Sequence, residues 1–307
     1  MLGKGAVLGH RGGAEAPTAW GRRALVLGVF LQPLVVGCTS VLPEQAGSLS
    51  SYERLATSDG LLTRAQVSVD KDEILSATTV RITPTAFSPA AVSEAGISEA
   101  QVRLIANAVD RSLCTGLSRR FQIATAAQPA DLTVRAFITR IIPTDEIAAA
   151  ASSVTSVGMT VVKVTGVVTA PIPSLRLPIG LGGLALEAEA LDRTGSQKAA
   201  MIWARGANSF SRPRASRAGD AYEFASSFGD DFSKLLVTGA SPFKTLPSLP
   251  TMDGINSALG GAPKESACEA FGRGPGVPGL MGGAFGLPPE LTDKGAPESR
   301  EDGELNR

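Results

Sequence analysis

Residues 184–205 read Leu-Ala-Leu-Glu-Ala-Glu-Ala-Leu-Asp-Arg-Thr-Gly-Ser-Gln-Lys-Ala-Ala-Met-Ile-Trp-Ala-Arg, and this stretch decides the fold. Two apolar-rich runs, 184–191 and 199–205, flank Asp192-Arg193-Thr194-Gly195. Aspartate starts turns and glycine accepts positive φ, so the four residues predict a hairpin with a type I turn and a bulge. Upstream, Leu132, Val134, Ala136 and Ile138 alternate with Thr133, Arg135 and Thr139, the strongest strand pattern in the chain. Val80 and Ile82 mark a shorter strand that ends before Pro84, and Phe121 to Thr125 another. Ser98 and Gln101 fit a capping box, after which Val102, Ile105, Val109, Leu113 and Leu117 define one helix face. Downstream, Asp220 is placed to cap a helix whose apolar side is Phe224, Phe228, Phe232, Leu235 and Leu236, with Gly239 as its stop. The expected fold is α+β: an antiparallel sheet with two helices packed on one face, in the order β-α-β-β-(insert)-β-β-α.

The N-terminal region carries a different signal. Arg22 and Arg23 precede a 13-residue apolar run, Ala24 to Val36. That length suits a signal-peptide core and falls short of the roughly 20 residues a spanning helix needs. The run ends in Val35-Val36-Gly37-Cys38, which resembles the lipobox of bacterial lipoproteins. The resemblance implies diacylglycerol on the Cys38 thiol and cleavage between Gly37 and Cys38. Two or three acyl chains at about 0.8 kcal/mol per buried methylene would make release negligible. Thr39 stands where an aspartate would favour retention in the inner membrane, so the expected location is the bacterial outer membrane, lipid-anchored and facing the periplasm.

The expected domains are a signal peptide over 1–37, a lipidated tether over 38–50, an α+β domain over 51–238 and a disordered tail over 239–307. The tail's 69 residues include 13 Gly and 9 Pro, above the composition of low-complexity segments. Between the central strands lies an insert, Ile147 to Leu175, whose only charge is Lys163. Its uncharged runs are too short for spanning helices, but two strands of about ten residues would suit an oligomeric barrel. The alternation is poor and Pro171 and Pro173 interrupt it, so an insert packed on the sheet or a partner is the plainer reading.

Two further stretches resemble a known family. Gly47-Ser48-Leu49-Ser50-Ser51-Tyr52-Glu53-Arg54-Leu55, and the run from Ile179 through the hairpin to Gly195, are similar to bacterial lipoproteins of the family of unknown function 3313 (DUF3313). The likeness covers roughly residues 47–237. It supplies no catalytic residues to carry over.

The chemistry on offer is sparse. The chain's one histidine, His10, precedes the cleavage site, which leaves no imidazole in the mature form for a triad or a metal site. No enzymatic activity, metal or cofactor is expected. Glu187 and Glu189 share a strand face and are expected to be solvated neighbours, as is Asp230-Asp231 on its helix. Arg205, Arg212, Arg214 and Arg217 cluster around a loop and offer an anion contact, or a solvated basic loop. Cys114 and Cys268 could pair in an oxidising compartment, but a buried unpaired Cys114 is the expected arrangement. Lysine plus arginine balance aspartate plus glutamate at 29 each, so no net field recruits nucleic acid. The expected role is a non-enzymatic, membrane-anchored protein of envelope structure or partner binding; the alternative is an oligomeric secretion or pore-forming lipoprotein using segment 147–175.

Overall fold

A computed structural model describes residues 41–147, 176, 180–212, 214–244 and 251–297. The strands are β1 (Ala56–Thr57), β2 (Thr63–Val69), β3 (Thr79–Ile82), β4 (Ala86–Phe87), β5 (Gln122–Ala124), β6 (Leu132–Ile142), β7 (Gly183–Asp192) and β8 (Gln197–Gly206). The helices are α1 (Lys71–Ser76), α2 (Pro89–Ala95), α3 (Glu99–Leu117), α4 (Gly219–Thr238), α5 (Met252–Ala258) and α6 (Gly276–Phe285). One eight-stranded sheet runs β1-β2-β8-β7-β6-β3-β5, with β4 also paired to β6.

The α+β class is as expected, and the sheet is mostly antiparallel. The finer order differs. β1, β2 and β4 were not expected, and β3 runs parallel to both β5 and β6. A parallel return needs a crossover, and α3 supplies it between β3 and β5. β2 had a readable signal, since Ala65, Val67 and Val69 alternate with Arg64, Gln66 and Ser68.

The hairpin forms as read. Asp192 Oδ1 accepts from the N–H groups of Thr194 and Ser196 at 2.8 and 2.9 Å and from the Thr194 hydroxyl. Gly195 has φ +80°, and the register shifts between Ala190 and Leu191. On α3 the capping box closes in both directions, Gln101 N–H to Ser98 Oγ at 3.2 Å and Ser98 N–H to Gln101 Oε1 at 2.9 Å. Such a cap contributes about 1 kcal/mol.

The main core lies between the helices and one face of the sheet. Ile105, Val109 and Leu113 of α3 and Phe224, Phe228 and Phe232 of α4 join Leu184, Leu186, Ala188, Met201 and Trp203. Small residues bring the two helices close: a Cβ at Gly229 would come 2.5 Å from the Cβ of Ser112. Trp203 meets Phe228 edge-on at 5.7 Å and donates its N–H to Asp231 at 2.9 Å. Asp231 is therefore not the free surface carboxylate its sequence context suggests.

Asp110 is buried under this core, where its carboxylate accepts the N–H and hydroxyl of Thr85 at 3.1 and 2.6 Å. Burial pushes its pKa up to about 6. The folded state therefore holds this proton more tightly than the unfolded chain. The resulting stability is full below about pH 4 and is lost as pH rises toward 6, a change of about 1–3 kcal/mol. Asp110→Asn is expected to gain by that amount relative to the parent between pH 4 and pH 7, as read by denaturant unfolding at both. A constant difference across that range would refute the assignment.

The tail departs from expectation. Residues 251–297 are not a featureless coil; they contain α5, α6 and two short 3-10 turns, Ser266–Phe271 and Pro289–Leu291. Cys268 is bonded to Cys114 of α3, with Cα atoms 5.8 Å apart, so the expected unpaired Cys114 is also corrected. Asp293 enters between the helices, pairs with Arg111 and accepts from the Tyr222 hydroxyl at 2.5 Å. Burial and the Asp293 charge hold the Tyr222 phenol well above its ordinary range. Glu290 accepts from Gln101 and from Ser216. Glycine and proline weaken a segment's own core, but a covalent link and a buried ion pair hold this one from outside.

Candidate functional site

The second face of the sheet carries the most unusual chemistry. In β7, residues 184, 186, 188 and 190 face the helices, so Ala185, Glu187 and Glu189 face the other way. Both glutamates are fully buried, contrary to the expected solvated pair. The reason is the segment expected to be a free tether. From residue 41 onward it lies along β7 as a strap. Val41 packs on Ala185, Ala204 and Ile142. Leu49, Tyr52 and Leu55 pack on Ala200 and Ile202.

The glutamates hold this strap by its backbone. Glu187 accepts the N–H groups of Ala46 and Ser48 at 2.7 and 3.0 Å and the hydroxyl of Tyr52 at 2.8 Å. Glu189 accepts both the N–H and the hydroxyl of Ser50, at 2.8 and 3.1 Å. Arg135 pairs with Glu189 from β6, and Gln197 donates to it at 2.9 Å. Burial works to raise the Glu189 carboxyl, but the Ser50 N–H, Arg135 and Gln197 outweigh it and keep it below its ordinary value. Burial and the neighbouring Glu187 raise the Tyr52 phenol. The Gln197 side chain also donates to Ser51 O, and Arg54 donates to Gln197 O at 2.8 Å, closing the far end.

Both oxygens of each carboxylate accept from groups of the strap, its hydroxyls or the neighbouring strands. The pair works as a clasp. Glu187→Ala is expected to leave two backbone N–H groups and one hydroxyl without their acceptor, and to cost about 1–3 kcal/mol. Hydrogen exchange at residues 46–52 should quicken, while Glu187→Gln, which keeps an acceptor oxygen, should cost less. Unchanged exchange in the alanine variant would show that the strap is held by something else.

The four arginines are brought to one region but are not left open together. Arg205 stacks over the Phe224 ring at 5.1 Å. Arg214 pairs with Glu223 and donates to Gly283 O of α6. Arg217 donates to Ala95 O at the end of α2. Arg212 is exposed, with no ion pair among the described residues. Cys38 and Gly37, and residues 148–175 of the insert, lie outside the described residues.

Sequence reading missed Arg176. Its guanidinium is buried and donates to Asp220 at 2.8 and 2.9 Å. Asp220 does not cap α4, because its carboxylate is turned inward to Arg176, the Thr144 hydroxyl and the Gly182 N–H. An arginine directly after an uncharged run was the available signal. Among the described residues no group of three or more His, Cys, Asp or Glu is placed to hold a metal ion. No helix among them is long and apolar enough to cross a membrane. Several apolar side chains of α5 and α6, including Met252, Met281 and Phe285, are exposed.

The geometry defines an α+β protein whose second sheet face is closed by its own N-terminal strap, clasped by two buried glutamates. The chain belongs to the family described as protein of unknown function (DUF3313), whose model matches residues 44–232, from the strap into α4. Two solved structures are similar to it, both PelC dodecamers from Paraburkholderia phytofirmans, one of them carrying a substitution. They show 12% and 11% identity and TM-scores of 0.30 and 0.31, and each alignment covers 58% of this chain and 98% of the other. No curated protein matches the chain.

Proposed function

We propose that this protein is a lipid-anchored bacterial envelope protein, attached through Cys38 and facing the periplasm, with a structural or partner-binding role and no catalysis. The observation that supports the non-catalytic part is the clasp: Glu187 and Glu189, two carboxylates on one strand face, are committed to residues 46–52. The anchor rests on Arg22-Arg23, the apolar run and Val35-Val36-Gly37-Cys38. The Cys114–Cys268 disulfide favours an oxidising compartment, as the periplasm is. Mass spectrometry of the protein from bacterial membranes should find a mature chain beginning at Cys38 with diacylglycerol on its sulfur. An unmodified chain in the cytosol, still carrying residues 1–37, would overturn the proposal.

A further inference from the structure

We propose that the end of the sheet where β6 stops and β7 starts lies flat against the phospholipid surface, so that the domain is held in one orientation and does not swing on a leash. This rests on the Cys38 anchor proposed above and goes beyond it, because an anchored domain could face the bilayer with any side. The pairing registers define the end in question. Thr63, at the start of β2, is opposite Arg205, and Gly183, at the start of β7, is opposite Gly206 and Ile142. The start of β2, the end of β6, the start of β7 and the end of β8 therefore converge there.

Two independent features meet at this end. The first is the strap's entry. Val41 is buried there, with its side chain close to Gly183. Cys38 is three residues earlier, a reach of at most about 10 Å. The free tether is thus far shorter than the 38–50 segment suggests, and the lipid cannot sit far from this end. The second is its surface. Leu61 is 99% exposed just before β2, Ile147 is 84% exposed beyond β6 and Phe210 is 79% exposed beyond β8. Leu42, next to Val41 in sequence, and Leu62, next to Leu61, are exposed as well. Of the acidic groups here, Asp59 pairs with Arg64 and Glu44 with Arg140, while Glu146 accepts the backbone N–H of Arg217 and Asp145 that of Ile147.

The opposite end presents charged side chains. Around the 192–197 hairpin, Arg193 pairs with Asp131, and Lys198 lies near Asp192 and Glu73. Strands of ten residues place that end about 30 Å away. Large apolar side chains on the surface of a soluble domain mark an interaction site when they gather. The surface that a nearby acyl anchor must bring to them is the hydrocarbon and headgroup boundary of a bilayer.

The test uses the full, lipidated chain in vesicles of phosphatidylethanolamine, phosphatidylglycerol and phosphatidylcholine, with or without bromine on the phosphatidylcholine acyl chains. Leu61→Trp, Phe210→Trp and Thr194→Trp are compared with the parent, whose buried Trp203 sets the baseline. The emission added at 61 and 210 should be quenched in brominated vesicles, and that at 194 should not. Flotation with the vesicles but no quenching at 61 and 210, or equal quenching at all three, overturns the orientation and leaves the anchor standing. A chain that does not float with the vesicles overturns the anchor, and this proposal with it.

Discussion

Replacing Cys114 and Cys268 together by alanine is expected to lower the unfolding free energy by about 2–5 kcal/mol. The two residues are 154 apart in sequence, and closing a loop of that length removes about 5 kcal/mol of chain entropy from the unfolded state. The lower part of the range allows for residual structure in the unfolded chain. The effect should also be local. The tail would keep Asp293 in its ion pair with Arg111 but lose its covalent point on α3. Limited proteolysis should then release fragments from 251–297 before the sheet is cut. Denaturant unfolding of the oxidised parent, the reduced parent and the alanine pair provides the check. The reduced parent and the pair should coincide, and equal stability of all three would mean that the thiols are unpaired in solution.

Asp220→Ala is expected to cost about 3–5 kcal/mol. It would strand the buried Arg176 guanidinium without a counter-charge, and removing one member of a buried pair is far worse than replacing both. The carboxylate also holds the Thr144 hydroxyl and the Gly182 N–H, so it ties the residues after β6 and those before β7 to the first turn of α4. The double variant Asp220→Ala with Arg176→Met should therefore be more stable than Asp220→Ala alone. A double-mutant cycle on thermal or denaturant unfolding measures that coupling. Additive losses would show that the two side chains do not act as a pair.

The contrast between these two sites explains how much was legible. The Ser98–Gln101 box, the apolar stripes of α3 and α4, the alternation of β6 and the Asp192–Gly195 turn are local patterns. Each is set by residues within a turn or two of one another, so each can be read without knowing the fold. Asp220 was read by the same logic and misplaced. A helix-start aspartate ordinarily caps, and the partner that turned it inward, Arg176, is 44 residues away. Cys268 and Asp293 lie in a segment whose composition argues for disorder, and their partners are on α3. Composition reports a segment's capacity to fold by itself, not its capacity to be held by another.

The clasp shows the same division within one strand. That Glu187 and Glu189 share a face follows from the two-residue period of β7. Whether that face is wet depends on Ala46, Ser48 and Ser50, which are 139–141 residues away along the chain. The same period read in β2 would have disclosed another strand, because its signal is local. The parallel pairing of β3 with β5 and β6 could not have been read this way, since register between distant strands leaves no mark on either one. Periodicity, capping and turn chemistry were therefore determined by the amino-acid order itself, through interactions spanning a few residues. Tertiary structure decided which face was buried, which charge met which, and that both the N-terminal strap and the C-terminal tail are fastened to the domain, because those outcomes depend on groups that meet only once the chain has folded.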